Sequence, residues 1–418
     1  MGGQIKNYGA NSFYSLKYPD QYDATRTLFT TLSWNKVWGP WQLSASAYWR
    51  THYDRFELIR NMHNAPAWYT GHNYHVTHVN GLNLQAAYAT RIGRTTMGVE
   101  VRNEYIKSNV LGDLLNEPKP IPFVPDTCFI YGKNRLNINY FAQQAFYVGR
   151  FSASVGISGN WNTMFAHNFC LGANVGYAFV REGRVYINVN RSLRLPTFTD
   201  LYYKSPTHEG NQGMSAEESH SVQLGTTYRT EAVDATVKAF YHRGTNMIDW
   251  VMYTADDVFH SANFDLDNMG VQAQATLRFA PLFGKADSYL QRLSVGYTYL
   301  HQRRRDDTEI YKSNYAMEYL RHKLVATLDH RIVSHLSASW CVRWQDRMGD
   351  YILYEDGRST GQLVSYSPYA TLDLKLRWTE RHYEVWVEGT NLTNHTYYDL
   401  GNIPQPGIVV LAGVRVRF

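Results

Sequence analysis

Residues 336–345 read Leu-Ser-Ala-Ser-Trp-Cys-Val-Arg-Trp-Gln, and their alternation decides the fold. In an extended chain Leu336, Ala338, Trp340, Val342 and Trp344 share one face, while Ser337, Ser339, Cys341, Arg343 and Gln345 share the other. A helix of 3.6 residues per turn does not separate these two sets. The same pattern runs through Trp41, Leu43, Ala45, Ala47 and Trp49 against Gln42, Ser44, Ser46, Tyr48 and Arg50. It recurs in Leu372, Leu374, Leu376 and Trp378 against Thr371, Asp373, Lys375 and Arg377. Each window has one lipid-like face and one face of charge and amide.

Carried along the chain, this period gives about 17 strands of roughly 9–15 residues, a length suited to a tilted membrane strand. Their centres fall near residues 30, 47, 84, 100, 141, 157, 175, 188, 223, 241, 275, 296, 325, 341, 373, 387 and 413. Counted back from the C-terminus, the connections alternate in length. Long ones are expected at 392–406, 348–367, 303–318, 250–269, 194–216, 109–134 and 55–76, with 164–169 brief. Short ones are expected at 379–382, 331–335, 230–232, 181–183, 149–150, 92–93 and 37–40, with 280–290 an exception. Outer-membrane barrels have short periplasmic turns and long extracellular loops, so the fold class expected is an all-β, antiparallel transmembrane β-barrel. No apolar run is long enough for a helical span, and a negative mean hydropathy suits strands that are apolar on one face only.

The net charge of +5 is small and dispersed, which gives no footprint for nucleic acid. Cys128, Cys170 and Cys341 lie far apart without metal-ligand spacing. No metal site, cofactor or catalytic residue is expected. The first 20 residues lack the basic and apolar regions of a secretory signal. Trp34, Trp38 and Trp41 surround one short turn and Tyr397 and Tyr398 adjoin a long loop, as in an interfacial girdle; ordinary β-propensity enriches the same residues. The last strand alternates Ile408, Val410, Ala412, Val414, Val416 and Phe418 against Arg415 and Arg417.

Two segments carry a family resemblance. Residues 190–225 end a strand in Arg194-x-Pro196, continue with Asp200 and Tyr202, and place Gly210-Asn211 ahead of Glu217-x-Ser219. Residues 387–418 contain Asn391, Asn394, Tyr397, Asp399, Pro406-Gly407 and a final Phe418. Together they resemble the mid-barrel signature and closing hairpin of TonB-dependent outer-membrane receptors of the siderophore/cobalamin type. Ala216 stands where the family usually has Pro, and Ile408 where it often has Arg. Pro and Gly at such places end strands and shape turns, so these residues are read as structural.

The family barrel has 22 strands around a plugged lumen. The resemblance therefore implies that residues 1–418 are one partial barrel domain, with plug, TonB box and signal peptide absent, and that residues 1–23 lie in an extracellular loop. An incomplete barrel leaves unpaired backbone in lipid, so this fragment alone should not transport. The full receptor would admit a bulky, scarce nutrient when the TonB–ExbB–ExbD complex acts through the missing N-terminal part. Outer-membrane lipid and lipopolysaccharide would surround it, and the barrel-assembly machinery would engage the C-terminal strand. No GxxxxGK[ST] loop is present to supply energy locally.

Cobalamin and ferric siderophore are the leading ligand classes, because residues 8–29 and the ending 401–407 look more like that branch than like the glycan-importing one. Haem is third, through His63, His72, His75 and His78; solvated loop histidines are the plainer reading. Candidate ligand contacts are the aromatic residues Trp68, Tyr69, Tyr253 and Tyr315 with His72, and the basic Arg303, Arg304 and Arg305 for an anionic ligand. Loop residues without a ligand role are the alternative for all of them. A passive porin and a barrel enzyme using Asp306 or Asp307 with a histidine are the competing functions; no GxSxG motif supports the latter.

Overall fold

A computed structural model of the chain describes residues 1–9, 18–255, 257–284, 288–306, 308–314, 316–356, 358–399 and 401–417. The sequence-expected Tyr315, Asp307 and Phe418 lie outside the described residues. The described residues form an antiparallel meander. It begins with β1 (Gly2–Gly9), β2 (Tyr22–Trp38), β3 (Trp41–Glu57), β4 (Asn73–Thr90), β5 (Gly93–Ser108) and β6 (Cys128–Val148). It continues with β7 (Phe151–Asn162), β8 (Ala166–Ala178), β9 (Gly183–Arg194), β10 (Glu217–Arg229), β11 (Val233–Met252) and β12 (Phe259–Arg278). It ends with β13 (Leu290–Arg304), β14 (Leu320–Arg331), β15 (Leu336–Arg347), β16 (Tyr369–Thr379), β17 (Tyr383–Thr390) and β18 (Val409–Val416). Each strand pairs with the one before it, and among the described residues β1 and β18 do not pair with each other. No helix is long and apolar enough to cross a membrane.

Register makes the alternation collective. Across β15 and β16, Leu336 faces Trp378, Ala338 faces Leu376, Trp340 faces Leu374 and Val342 faces Leu372. Across β3 and β4, Ala45 faces Leu84 and Ala47 faces Leu82. The apolar sets of successive strands therefore coincide on one face, which stays open: Leu32 is 76% exposed, Leu224 56% and Val414 68%. The opposite face is knitted by polar side chains. Tyr48 Oη donates to Glu100 Oε1 (2.8 Å), Asn139 Nδ2 to Glu100 Oε2 (2.9 Å) and Asn160 Nδ2 to Asn139 Oδ1 (2.6 Å). Arg343 pairs with Asp373 (2.9 Å) and Lys375 with Glu388 (2.8 Å). An exposed apolar face backed by a cross-linked polar one is the arrangement of a barrel wall in lipid.

Three sequence expectations need correction. Residues 1–23 are not all loop, because Gly2–Gly9 pairs residue for residue with Phe29–Tyr22. Ile5 is the only aliphatic residue between Gly2 and Tyr8, so no alternation announced it, and the strand is templated by the edge of β2. The connection expected at 250–269 shrinks to residues 253–258, since β11 and β12 run on through it. Several strands also exceed the expected length, β6 reaching 21 residues and β11 20. The extra turns of chain lie at the long-loop end, where strands outrun the lipid and the period-2 apolar signal lapses. There Val251, Phe264 and Leu266 are buried against Ile310 and Ala316.

The long connections carry structure of their own. Residues 350–355 and 358–365 form a separate hairpin, and Asp113–Pro120 adds a short strand beside β6. The long exception at the short-turn end contains a helix, Phe279–Phe283, closed by Gly284 at φ 64°. A lipid-facing charge is the sharpest test of this layout. Leu374→Arg should cost the folded barrel about 2–4 kcal/mol, whereas Asp373→Asn, on the polar face, should cost less; urea unfolding in lipid vesicles, followed by heat-modifiable gel mobility, separates the two.

Candidate functional site

The long-loop end holds the buried apolar clusters, and the 195–216 segment is its centre. Arg194 pairs with Glu217 Oε2 (3.0 Å), and the same oxygen accepts from the Ile248 amide (3.1 Å), so the top of β9 is tied to β10 and β11. The chain then leaves the sheet at Pro196. A short helix, Phe198–Tyr202, follows, with Thr197 and Asp200 forming a reciprocal capping box. The Pro196 carbonyl accepts from Arg135 Nη1 (2.8 Å), and the same guanidinium holds Glu104 (2.6 Å) and covers the Phe198 ring. Lys133 lies over the Tyr202 ring. Gly210 turns the segment back: a Cβ there would sit 2.8 Å from the Tyr203 nitrogen and 3.0 Å from the Leu201 carbonyl carbon. Asn211 N donates to the Asp200 carbonyl (2.9 Å) and to Ser261 Oγ (2.8 Å). Beneath the segment, a recess of about 490 Å³ on the polar face is lined by Glu100, Arg102, Arg135, Asn137, Asn139 and Asn160, among others.

Around this segment stands a ring of aromatic and imidazole side chains. Trp68 meets Tyr18 and Tyr69 edge-on, and Tyr69 Oη lies 2.9 Å from His72 Nδ1. Burial pushes the Tyr69 hydroxyl up and the His72 imidazole down from their ordinary values. Next to His72, Asn73 Nδ2 donates to Tyr203 Oη (3.2 Å), joining the β3–β4 loop to the 195–216 segment. Tyr203 continues to His208 and Trp250, and His208 stacks on Phe259 at 5.2 Å. Tyr253 packs near His260, which pairs with Asp257 at 2.9 Å. Of the expected aromatic contacts, Trp68, Tyr69 and His72 come together and Tyr253 stands further along. Tyr203, His208, Trp250 and Phe259 were not anticipated. The first two follow directly on the Asp200–Tyr202 signature, and the latter two lie within 250–269, where the sequence pattern reads as loop.

Two of the three expected arginines are already engaged, and Arg303 is exposed with no ion pair among the described residues. Arg304 pairs with Asp306 (3.1 Å), and Arg305 bridges Asp265 (3.2 Å) and Asp267 (3.0 Å). His75 and His78 lie on opposite faces of β4 by parity, so they cannot share one iron. Among the described residues no group of three or more His, Cys, Asp or Glu is placed to hold a metal ion. A second cluster locks three loops together. Lys312 Nζ and Glu318 Oε1 pair at 2.8 Å, both buried; Tyr366 Oη donates to Glu318 Oε2 (2.6 Å), and Arg347 pairs with Asp399 (2.8 Å). In the closing segment, Asn391 at φ 49° holds the His395 and Pro406 carbonyls, and Tyr397 stacks on Tyr369 at 4.2 Å. Asn394 Oδ1 accepts from the Ile408 amide (3.2 Å) and leaves no room for a Cβ at Gly407.

A family model described as TonB dependent receptor-like, beta-barrel matches residues 2–392. The chain belongs to that family. Similar solved structures include the FrpB iron transporter from Neisseria meningitidis, F3-3 variant, at TM-score 0.70 and 16% identity over 96% of this chain and 64% of that one. The siderophore receptor PirA from Acinetobacter baumannii gives 0.70 and 12%, covering 95% and 62%. A variant of the ferric enterobactin receptor PfeA from Pseudomonas aeruginosa gives 0.67 and 16%, covering 95% and 62%. The chain thus spans less than two thirds of the length of these structures. Receptors of this family are outer-membrane proteins of Gram-negative bacteria and are not enzymes. In this TonB-dependent receptor barrel, the apolar face is the lipid face, the polar face lines the lumen and the long-loop end is the mouth.

Two outcomes test the mouth. Burial lowers the His208 imidazole to about 4, so its neutral form is the one the fold accepts. The unfolded segment binds the extra proton between the ordinary value near 6.5 and about 4, and stability falls as pH drops through that window. Lowering the pH from 7 to 5 should therefore raise protease cleavage within 195–216, and His208→Phe should flatten that dependence while keeping the stack on Phe259. Glu318→Ala strands Lys312 in a buried site and should destabilise the three-loop cluster by about 3–5 kcal/mol. Hydrogen exchange at residues 311–319 and 398–402 measures that loss.

Proposed function

We propose that this chain supplies the wall and mouth of an outer-membrane receptor that takes up a bulky ferric chelate of the siderophore class by TonB-coupled transport. The reading rests chiefly on the aromatic mouth. Trp68 and Tyr253 are 43% and 41% exposed, and Tyr203 and Trp250 lie between the loops that carry them. Rings of this kind stack on a flat, delocalised ligand. Arg304 and Arg305, spent on Asp306, Asp265 and Asp267, leave less charge for a bare anion. The names carried by structures of similar fold support iron chelates over cobalamin: an iron transporter, a siderophore receptor and a ferric enterobactin receptor. Energy would come from the TonB complex, and the alternating Val410, Val414 and Val416 would serve the assembly machinery as its docking strand.

A strain lacking the gene, grown on iron-limited medium with a panel of ferric siderophores and separately on limiting cobalamin, tests the ligand class. Growth should fail with one siderophore and be normal on cobalamin; selective failure on cobalamin would overturn the assignment. In cells carrying W68A/Y253A, binding of the matching ferric siderophore should weaken about tenfold, near 1.4 kcal/mol, at unchanged receptor abundance. Unchanged affinity would remove the aromatic mouth from recognition.

A further inference from the structure

The lumen wall is divided by charge. One row of inward positions runs from Gln143 of β6, across two glycines, through Asn190, Ser221, His242 and Asn268 to Gln302 of β13. Two residues nearer the short turns, the next row carries Asn174, Asn188 and Gln223. Neither row contains Asp, Glu, Lys or Arg. Strands β6 to β13 thus present a neutral, amide-rich surface to whatever passes. Charge is concentrated on β15–β17, and there it is cancelled: Arg343 holds Asp373 (2.9 Å) and Lys375 holds Glu388 (2.8 Å).

Cations of the mouth are cancelled in the same way. Arg102 and Arg135 share Glu104, Arg194 holds Glu217, Arg347 holds Asp399 and Lys133 holds Asp113. Lys312, Arg304 and Arg305 are committed as described above. Arg303 has no ion pair, but it follows the lumen-facing Gln302 and so belongs by parity to the outer face. Among the described residues, Lys6, Arg50, Lys238 and Lys323 stand on the lumen face without an ion pair. They lie on β1, β3, β11 and β14, no two of which are neighbours. No group of converging, uncommitted cations is therefore built to receive an anion.

We infer that the ferric chelate admitted here carries no net charge, which assigns it to the trihydroxamates and not to the tris-catecholates. The inference rests on the siderophore reading above. Three hydroxamates bring three negative charges to ferric iron and cancel it, whereas three catecholates bring six and leave a trianion. A trianion entering this barrel gives up its hydration and finds no cations in exchange, unless guanidinium groups leave their carboxylates. A neutral chelate presents amide and hydroxamate oxygens, and the Asn and Gln side chains of the wall carry the N–H donors to meet them. Each hydroxamate is also planar and delocalised, so the rings of the mouth have faces to lie against.

Full-length receptor in mild detergent is titrated with ferrioxamine E and ferrichrome, both uncharged trihydroxamates, with ferric enterobactin, a tris-catecholate trianion, and with cobalamin. One trihydroxamate should bind about 100-fold or more tighter than ferric enterobactin, and its affinity should change less than about twofold between low and high salt. Tighter binding of the trianion overturns the inference, as does binding of neither trihydroxamate. Binding of cobalamin in place of every ferric chelate sinks the siderophore reading itself. In E104Q/E217Q, which releases Arg102 and Arg194, the preference for the uncharged chelate should narrow about tenfold and ferric enterobactin binding should become salt-dependent. An unchanged preference there would show that charge does not discriminate, and overturns the inference. If the double variant does not fold, Glu217→Gln alone, whose half-exposed partner is Arg194, should narrow the preference in the same direction.

Discussion

Backbone hydrogen bonding without water is the constraint from which the rest of this structure follows. In hydrocarbon an unpaired N–H or C=O costs several kcal/mol, so each strand must be matched by neighbours along the whole span. Register then follows from parity: a slip of one residue would turn Leu372, Leu374 and Leu376 inward and Lys375 outward together. The irregularities obey the same rule. Register shifts fall between Gly244 and Met247, between Leu290 and Arg292 and between Leu320 and His322, all away from the centre of the apolar band. At the first of them, Asn246 at φ 53° has its N–H taken by Asp265 and its carbonyl by Asn263. Where the ladder breaks, side chains replace it.

The same constraint separates two kinds of packing in one chain. Within the band, apolar side chains meet lipid and polar ones meet each other across the lumen wall. At the mouth, dry clusters appear: Val76 with Ile121 and Phe129, and Ile106 with Leu111 and Phe198. Loops in water must bury something of their own to hold a shape. The family signature, Arg194 through Glu217, is such a device, a small folded unit whose cap, turn and ion pair are internal to it.

Fold was legible because lipid imposes a simple code. The alternation around Trp340 and around Ala45 needed no partner to be read, and the long-short rhythm of connections gave the end at which the mouth lies. Legibility failed where the code stops. Gly2–Gly9 has no apolar face and takes its conformation from β2. Asp249 accepts from the Ala316 amide 67 residues on, and Val251 is buried in a cluster with Ile310 and Ala316, contacts that no local period reports. The mouth was half legible for a related reason. Trp68, Tyr69 and His72 are close in sequence and stay close in space, whereas Asn73 and Tyr203 meet across 130 residues. The charges of Arg304 and Arg305 were visible, but their commitment to Asp265, Asp267 and Asp306 was not, because ion pairing is decided by tertiary placement.

Mouth and wall are mechanically one object through Arg135. Its guanidinium is anchored to Glu104 on the lumen wall and reaches the Pro196 carbonyl and the Phe198 ring of the mouth segment. Glu104 is itself shared with Arg102, and Glu100, two residues along the same face of β5, starts the amide ladder through Asn139 to Asn160. A rigid ladder attached to a capped, folded loop transmits displacement better than a loop with solvated ends, because hydrogen-bonded groups on one sheet face have no independent freedom. Movement of the 195–216 segment is therefore borne in part by β5, β6 and β7 through Arg135, beside its ties to β4 at Asn73 and to β12 at Ser261. The Lys312–Glu318–Tyr366 cluster ties its loops to each other and meets the wall at Arg347 of β15, which donates to the Glu318 carbonyl (2.6 Å) and pairs with Asp399 (2.8 Å). Both loop groups of the mouth are thus joined to the wall through the guanidinium of a strand residue, Arg135 for one and Arg347 for the other.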